Sequence, residues 1–225
     1  MMSVDEGQKL VIQQIINCFE TGKKDGDYSA IAIFADGKDG RKQVTYGRCQ
    51  ATEDSGTLKT LLVMYSGQFA PILHTYLDFL IGTGVLYQNS HFLLLLEQAG
   101  RDPVMQKAQD QLFDERYYIP ALRWAMNNGF TRALSLAVIY DSFIHSGRVP
   151  TNIRIMFKER LPVNGGDEKQ WIISYVDARN SWLAQANNPL LHNTTYRMRC
   201  FKRLIAEDNW NLTKRPIVAN GVVLT

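Results

Sequence analysis

The chain has few of the residues that build disulfide scaffolds or metal sites. Its 225 residues include three cysteines, Cys18, Cys49 and Cys200. This odd number, without Cys-x-x-Cys spacing, argues against a disulfide framework and against a zinc site. The four histidines are scattered and form no His-Glu-x-x-His pattern. We therefore expect reduced thiols, no metal and no organic cofactor.

Long apolar runs are also lacking. No stretch approaches the roughly 20 apolar residues of a membrane span. The N-terminal segment, Met1 to Gly7, has neither the basic start nor the apolar run of a signal peptide. The net charge is only +3, and the basic residues of segment 101–225 are spread among apolar helical positions rather than clustered. The sequence therefore predicts neither a membrane nor a nucleic-acid partner.

The chain does have enough apolar sequence for a core, since 45% of its residues are hydrophobic. Ser3 and Glu6 match the capping-box pattern of a helix start, and apolar residues then recur at helical spacing up to Phe19. Gly22 marks the helix end. The first element is therefore predicted to be an amphipathic helix.

A β-hairpin and a series of helices are predicted to follow. Residues 28–35 are rich in strand formers, and residues 42–46 are the predicted return strand. Further helices are predicted over residues 57–64, 69–80, 91–99, 103–118, from 120 to a turn at 127–129, 130–147, 150–161, 167–186 and 189–207. This pattern predicts a single domain, residues 1–225, that is mainly helical and forms two lobes around a cleft.

Two carboxylates in these elements suggest acid–base chemistry. Glu20 lies in the last turn of the first helix, where the negative end of the helix dipole and the apolar Ile16 and Phe19 disfavour a charged carboxylate. Asp36 lies in the polar hairpin turn, where solvent and nearby cations favour ionisation. Hydrolysis of a glycosidic bond needs one protonated and one ionised carboxyl group. The pair therefore suggests a glycosidase, and the alternative is a solvated helix end with an ordinary Asp-Gly turn.

Many further residues follow one order and spacing along nearly the whole chain. They are Phe19-Glu20-x-Gly22, Thr45-x-Gly47-Arg48, Ala108-Gln109-Asp110, Asp114, Tyr117-Tyr118, Pro120-Ala121, Gly129, Ala133-Leu134, Ala137-Val138, Tyr140-Asp141, Gly147, Asp167-Glu168-Lys169-x-Trp171, Asp177-x-Arg179 and Asn209-Trp210-Asn211-Leu212. This pattern resembles the bacterial chitosanases of glycoside hydrolase family 46. The resemblance implies a mainly α (α+β), lysozyme-like fold, with two helical lobes and a small β-hairpin sheet flanking a substrate cleft. It also implies endo-hydrolysis of β-1,4-linked glucosamine polymers with inversion.

By this resemblance Glu20 is the general acid, Asp36 is the base that activates water, and Thr45 helps to hold that water. Inversion needs the two carboxyl groups roughly 6.5–9.5 Å apart. The hairpin turn is longer than in the family and offers Asp39 as an alternative base. Because extending both arms of a hairpin equally keeps its cross-strand pairs, we expect Asp36 to face Thr45, and we favour it over Asp39.

The family also has a buried charge network behind the acid, and the resemblance places Asp141, Arg179 and Arg197 in it. An arginine beside Glu20 would orient that carboxyl group, while Asp141 balances the arginine charges. The alternative is a helix–helix ion-pair cluster without a catalytic role.

One departure from the family concerns the substrate. After Ser55-Gly56, where related chitosanases often have an Asp that grips a glucosamine ammonium, this chain has Thr57. Its basic charge balance also suits a polycation poorly. The candidate substrate contacts are Tyr28, Arg48, Glu53 and Asp54. The last two are near enough to replace the missing Asp, but they could equally be solvated loop residues.

Two other classes of function remain open. The nearest is a lysozyme-like peptidoglycan hydrolase delivered by a phage or a secretion system, which keeps Glu20 and changes the sugar. A catalytically inactive carbohydrate- or partner-binding protein would need to have lost the acid or the base, and Glu20 and Asp36 are both present. For an enzyme we expect a monomer with a polysaccharide substrate outside the cell or in its wall. It would reach that substrate by a non-classical route, or with a signal since removed.

Overall fold

The computed structural model describes residues 4–80 and 86–225. The helices in these ranges are, in chain order, α1 (Glu6–Thr21), α2 (Thr57–Met64), α3 (Ala70–Leu73), α4 (Ser90–Ala99), α5 (Pro103–Phe113), α6 (Ile119–Asn127), α7 (Ala133–Ser146), α8 (Thr151–Arg154), α9 (Glu168–Ala184), α10 (Pro189–His192) and α11 (Tyr196–Ala206). The strands are β1 (Ile31–Phe34), β2 (Gln43–Tyr46), β3 (Ala51–Thr52), β4 (Ile217–Ala219) and β5 (Val222–Leu224). The predicted mainly helical architecture with a small antiparallel sheet is confirmed. No helix within the described ranges is long and apolar enough to cross a membrane.

The chain divides into two units, and the first contains the residues up to Gly26 together with Arg116–Thr225. Helix α7 lies at the centre of this unit. Its residues 133–142 are all buried, because the helix is apolar on nearly all sides, and it packs against α1, α6, α9 and α11. It ends at Gly147, whose left-handed conformation (φ 69°) caps the last turn. The predicted central helix and its end at this glycine are both confirmed.

Helix α1 brings Glu20 to the edge of this core. Its cap is Asp5, whose Oδ1 accepts a hydrogen bond from the Gln8 N–H at 2.7 Å, while the Gln8 Oε1 accepts one from the Asp5 N–H at 3.1 Å. The capping box therefore consists of Asp5 and Gln8 rather than Ser3 and Glu6, and Ser3 lies outside the described residues. The apolar face of the helix is buried along its length, which leaves Glu20 in the last turn, as predicted.

The second unit, Asp27–Glu115, is built around a three-stranded antiparallel sheet in the order β1-β2-β3. Strands β1 and β2 form the predicted hairpin, with Ala32 opposite Thr45. Strand β2 is largely buried, whereas the end of β1 is exposed. Helices α2 and α4 pack against β3 and β1. The sheet thus holds both ends of the loop that carries Asp36.

The helix predicted over residues 150–161 is only α8 in the structure. The side chain of Arg154 explains the early end, because its Nη1 and Nη2 donate hydrogen bonds to the backbone carbonyls of Phe157 and Glu159 at 2.9 and 2.6 Å. These bonds satisfy the carbonyl groups in an irregular path, so that no further helical turn is needed. The side-chain bonds of one arginine therefore end a helix that the apolar pattern extends.

Two further predicted helices are broken. Segment 189–207 is interrupted by a 3₁₀ turn at Asn193–Thr195, where threonine hydroxyls donate to backbone carbonyls of the preceding turn. Segment 69–80 contains only α3 and a 3₁₀ turn. The hairpin of β4 and β5 was not predicted, although its connecting Asn220-Gly221 is a strong hairpin signal.

Candidate active site

In the first unit, the side chain of Glu20 is held by an ion pair. Its Oε1 accepts a hydrogen bond from Arg197 Nη2 at 2.6 Å, and the Glu20 side chain is 19% exposed while that of Arg197 is buried. The guanidinium of Arg197 also lies over the ring of Phe19, with its Cζ 5.4 Å from the ring centroid, a contact that stabilises the buried cation. The geometry therefore fixes one oxygen of Glu20 and leaves the carboxyl group partly accessible.

Behind this pair, Asp141 bridges two arginines. Its Oδ1 accepts from Arg197 Nη1 and its Oδ2 from Arg179 Nη1, each at 2.7 Å. Arg179 Nη1 also donates to the Ser142 hydroxyl at 3.1 Å, and Asp141 and Arg179 are fully buried. Burial alone would raise the pKa of Asp141, but the charges of Arg179 and Arg197 outweigh it and hold this pKa below its usual value. The three residues predicted to form a network behind Glu20 do lie together.

The network is balanced when Glu20 is ionised, because two carboxylates then face two guanidinium groups. His145, on α7, is a further member that the sequence reasoning missed. Burial and the nearby charges of Arg179 and Arg197 lower the pKa of His145 to about 4, so this imidazole adds no positive charge at neutral pH.

In the second unit, Asp36 follows β1 and is an exposed residue. Its Oδ1 accepts a hydrogen bond from Gln43 Nε2 at 3.0 Å. The expectation that Asp36 faces Thr45 is wrong, because Thr45 is opposite Ala32 and the last pair of the hairpin is Phe34 with Gln43. The extra residues therefore enlarge the loop instead of lengthening both strands, which places Asp36 beyond the paired region.

The alternative base, Asp39, lies at the tip of this loop. It is exposed, belongs to the 3₁₀ turn Lys38–Gly40 and has a left-handed backbone (φ 60°). It also lines a cavity of about 640 Å³. The residues around this cavity are Lys38, Asp39, Arg41, Glu53, Asp54, Gly56, Lys59 and Leu80. Both candidate bases thus belong to one loop, but only Asp36 is tied to the sheet by its side chain.

The two carboxylates proposed from the sequence to grip an ammonium group are engaged by their own unit. Asp54 Oδ2 accepts from the Lys38 N–H and Oδ1 accepts from Arg41 Nη2, and these contacts lower the pKa of Asp54. Glu53 is buried, its Oε1 accepts from the Val44 N–H at 2.7 Å, and burial raises its pKa. Both residues therefore brace the hairpin.

Tyr28 and Arg48 meet at an aspartate that the sequence reasoning left without a role. The Tyr28 hydroxyl donates to Asp110 Oδ1 at 2.9 Å, and Arg48 Nη1 donates to the same oxygen at 2.5 Å. Arg48 is only 4% exposed. This geometry therefore favours a supporting role for Arg48 over the predicted direct contact with a polymer.

A buried glutamine explains the motif around Arg48. Gln109 Oε1 accepts from the Arg48 N–H at 2.9 Å, and its Nε2 donates to the Tyr28 carbonyl at 2.8 Å. Gly47 has a positive φ of 68°, and a Cβ at this position would lie 2.2 Å from Gln109 Oε1. The Thr-x-Gly-Arg and Ala-Gln-Asp motifs are therefore parts of one contact.

Comparisons with known proteins are consistent with this arrangement. The family model described as Glycosyl hydrolase family 46 matches residues 14–217. A chitosanase of Bacillus subtilis (strain 168) is 26% identical over 93% of this chain and 80% of that protein. The chain therefore belongs to glycosyl hydrolase family 46, which makes it a glycosidase. The family resemblance predicted from the sequence is confirmed.

Solved structures share the fold. A mutant chitosanase from Bacillus subtilis MY002, complexed with 6 GlcN, aligns with a TM-score of 0.80 and 22% identity over 99% of this chain and 100% of that chain. The family 46 chitosanase of Gynuella sunshinyii, in complex with chitotetraose, aligns with a TM-score of 0.80 and 23% identity over 98% of both chains. At these identities the likeness establishes the fold, and the predicted mainly helical class with a small sheet agrees with it.

Proposed function

We propose that the protein hydrolyses chitosan, cutting β-1,4 bonds within glucosamine chains with inversion of configuration. The observation that carries this proposal is the buried network of Asp141, Arg179 and Arg197, which ends on one partly accessible carboxyl group, that of Glu20. Family membership supports the reaction class, and the chitosanase relatives support the substrate. The protein would act as a monomer on a polymer outside the cell or in its wall.

In this mechanism Glu20 gives its proton to the glycosidic oxygen as the bond to the anomeric carbon breaks. Asp36 takes a proton from a water molecule, and the resulting hydroxide oxygen attacks the opposite face of the sugar. Thr45 pairs opposite Ala32, away from Asp36, so we assign it no part in holding that water. The proton lost by Glu20 and the proton gained by Asp36 balance, so the reaction needs no metal or organic cofactor. Exchange with solvent restores both groups.

The cavity beside the hairpin favours peptidoglycan as a second candidate substrate. Lys38, Arg41 and Lys59 line it, and neither Lys38 nor Lys59 forms an ion pair with a described residue. Asp39, Glu53 and Asp54 also line the cavity, but Asp54 pairs with Arg41 and Glu53 is buried, which leaves two lysines against the exposed Asp39. Such an excess of positive side chains suits the carboxylates of peptidoglycan and repels the ammonium groups of chitosan. Thr57 also argues against chitosan, because it stands where the resemblance places an ammonium-binding Asp.

The first experiment measures new reducing ends released from soluble chitosan and from purified peptidoglycan by the wild type and by Glu20→Gln. Glu20-dependent cleavage of chitosan supports the chitosanase proposal, and cleavage of peptidoglycan alone replaces chitosan as the substrate. Cleavage of neither polymer contradicts the enzymatic proposal and favours a binding protein. Proton NMR of the first product tests inversion, because an inverting enzyme forms the α-anomer from a β-linked chain. A rapid fall in viscosity tests the endo mode.

A further inference from the structure

The side-chain amide of Gln43 joins the candidate base to the neighbouring strand connection. Gln43 begins β2 and is 5% exposed. Its Nε2 donates to Asp36 Oδ1 at 3.0 Å, and its Oε1 accepts from the Asp54 N–H at 3.0 Å. One buried side chain thus spans from the segment after β1 to the segment after β3.

The chemistry of both partners fixes the orientation of this amide. A carboxylate only accepts hydrogen bonds and a backbone N–H only donates, so a flipped amide would oppose oxygen to oxygen at Asp36 and N–H to N–H at Asp54. Breaking either bond would leave a buried polar group unsatisfied. Gln43 therefore holds Asp36 Oδ1 in one place, while among the described residues no hydrogen bond engages Asp36 Oδ2.

The same connection also holds the loop itself. The Asp54 carboxylate accepts from the Lys38 N–H and from Arg41, and the Gly37 N–H donates to the Arg41 carbonyl at 2.9 Å. Asp36 precedes this closed turn and is fixed by Gln43. In the described part of the chain, the exposed Asp39 carboxylate receives no comparable hydrogen bond.

We infer that Gln43 is a positioning residue that orients the Asp36 carboxylate so that Oδ2 faces the attacking water. This inference rests on the proposed function, and it assigns the base to Asp36 rather than to Asp39. An amide suits this role because it donates a hydrogen bond without a proton to lose, so it restrains Asp36 and leaves it able to accept a proton.

The test is a double-mutant cycle with the full chain, in which kcat and KM are measured on whichever of the two polymers the wild type cleaves. Gln43→Leu removes both amide bonds and should lower kcat up to about 100-fold with little change in KM, because it displaces the base without altering polymer contacts. In Asp36→Glu the extra methylene displaces the carboxylate, and some turnover should remain because a base is still present. In the Asp36→Glu background, adding Gln43→Leu should therefore lower kcat by less than about threefold.

Two companion variants separate positioning from folding. Gln43→Met keeps the length of the side chain and buries no charge, but it removes the donor to Asp36, so it should lower kcat while circular dichroism shows a folded protein. It carries the cycle if Gln43→Leu does not fold. Gln111→Leu, at an exposed position on α5, is the matched control and should leave kcat unchanged.

Equal losses for Gln43→Leu in the native and Asp36→Glu backgrounds would overturn the inference, since a purely structural effect does not depend on the base. A fully active Asp36→Asn variant would overturn it as well, by removing Asp36 from the mechanism. Failure of the wild type to cleave either polymer is a different result, because it contradicts the proposed function itself.

Discussion

Arg197 Nη2 lies 2.6 Å from Glu20 Oε1, so the proposed proton donor is in contact with a permanent cation. This contact fixes one oxygen of the Glu20 carboxyl group. Asp141 accepts from the other terminal nitrogen of Arg197 at 2.7 Å and balances part of its charge. The network thus holds Glu20 in place from behind, through a buried cation whose charge is itself partly balanced.

Replacing Glu20 with glutamine should lower turnover by about 10²–10⁴-fold, the usual contribution of a general acid. The amide oxygen can still accept the hydrogen bond from Arg197, so we expect the fold to be retained. Release of reducing ends measures the loss, and circular dichroism checks the fold. Glu6→Gln, on the exposed first turn of the same helix, is the control and should keep full activity. Wild-type turnover by Glu20→Gln would contradict the mechanism.

The identity of the base is tested by Asp36→Asn and Asp39→Asn measured side by side. Asparagine keeps the size of the side chain but cannot accept the proton from water, so Asp36→Asn should lower kcat by about 10²–10⁴-fold. Asp39→Asn should stay within a few-fold of the wild type, since Gln43 fixes the carboxylate of Asp36 and no described residue does the same for Asp39. The opposite ranking would assign the base to Asp39.

Stability should depend strongly on the buried arginine of the network. Arg179→Met keeps the bulk of the side chain but leaves Asp141 Oδ2 without the guanidinium that lies 2.7 Å away. Removing one partner of a buried pair costs about 3–5 kcal/mol, so the free energy of unfolding measured in urea should fall by that order. Lys202→Met, which breaks an exposed pair with Asp177, is the control and should cost at most about 1 kcal/mol. Similar losses of unfolding free energy for both variants would show that burial does not set the cost of breaking these ion pairs.

Local patterns predicted much of the fold. Helices α1, α2, α7 and α9 were predicted closely because each has an apolar face and identifiable ends within its own sequence. The apolar pattern predicted helix ends wrongly where side-chain hydrogen bonds determine the backbone conformation. Arg154 ends α8 through bonds to carbonyls beyond it, and threonine hydroxyls interrupt segment 189–207. Such contacts leave no trace in hydrophobic periodicity.

The site was less accessible to sequence reasoning. Arg197 and Glu20 are 177 positions apart, so only the family resemblance placed them together. The hairpin register required the actual turn geometry, and assuming equal extension of both arms put Asp36 opposite the wrong residue. Gln43 was missed altogether. A signal was present, because Gln43 and Thr45 share one face of β2, and a buried glutamine on a strand needs a polar partner.

His145 should make the stability of the protein depend on pH. Burial and the charges of Arg179 and Arg197 lower its pKa to about 4, with Asp141 opposing them, whereas an unfolded histidine titrates near 6.5. Between these values the unfolded chain binds a proton that the folded chain does not, so stability is lost as pH falls through this window. Melting temperatures at pH 7 and pH 5 should therefore differ less for His145→Gln than for the wild type.

Glu53 acts in the opposite direction, since its raised pKa favours the folded state on acidification, but it is common to both proteins and cancels in the comparison. His192→Gln, at an exposed position, is the control and should preserve the wild-type difference. An unchanged pH dependence in His145→Gln would show that this imidazole is not held neutral in the folded protein.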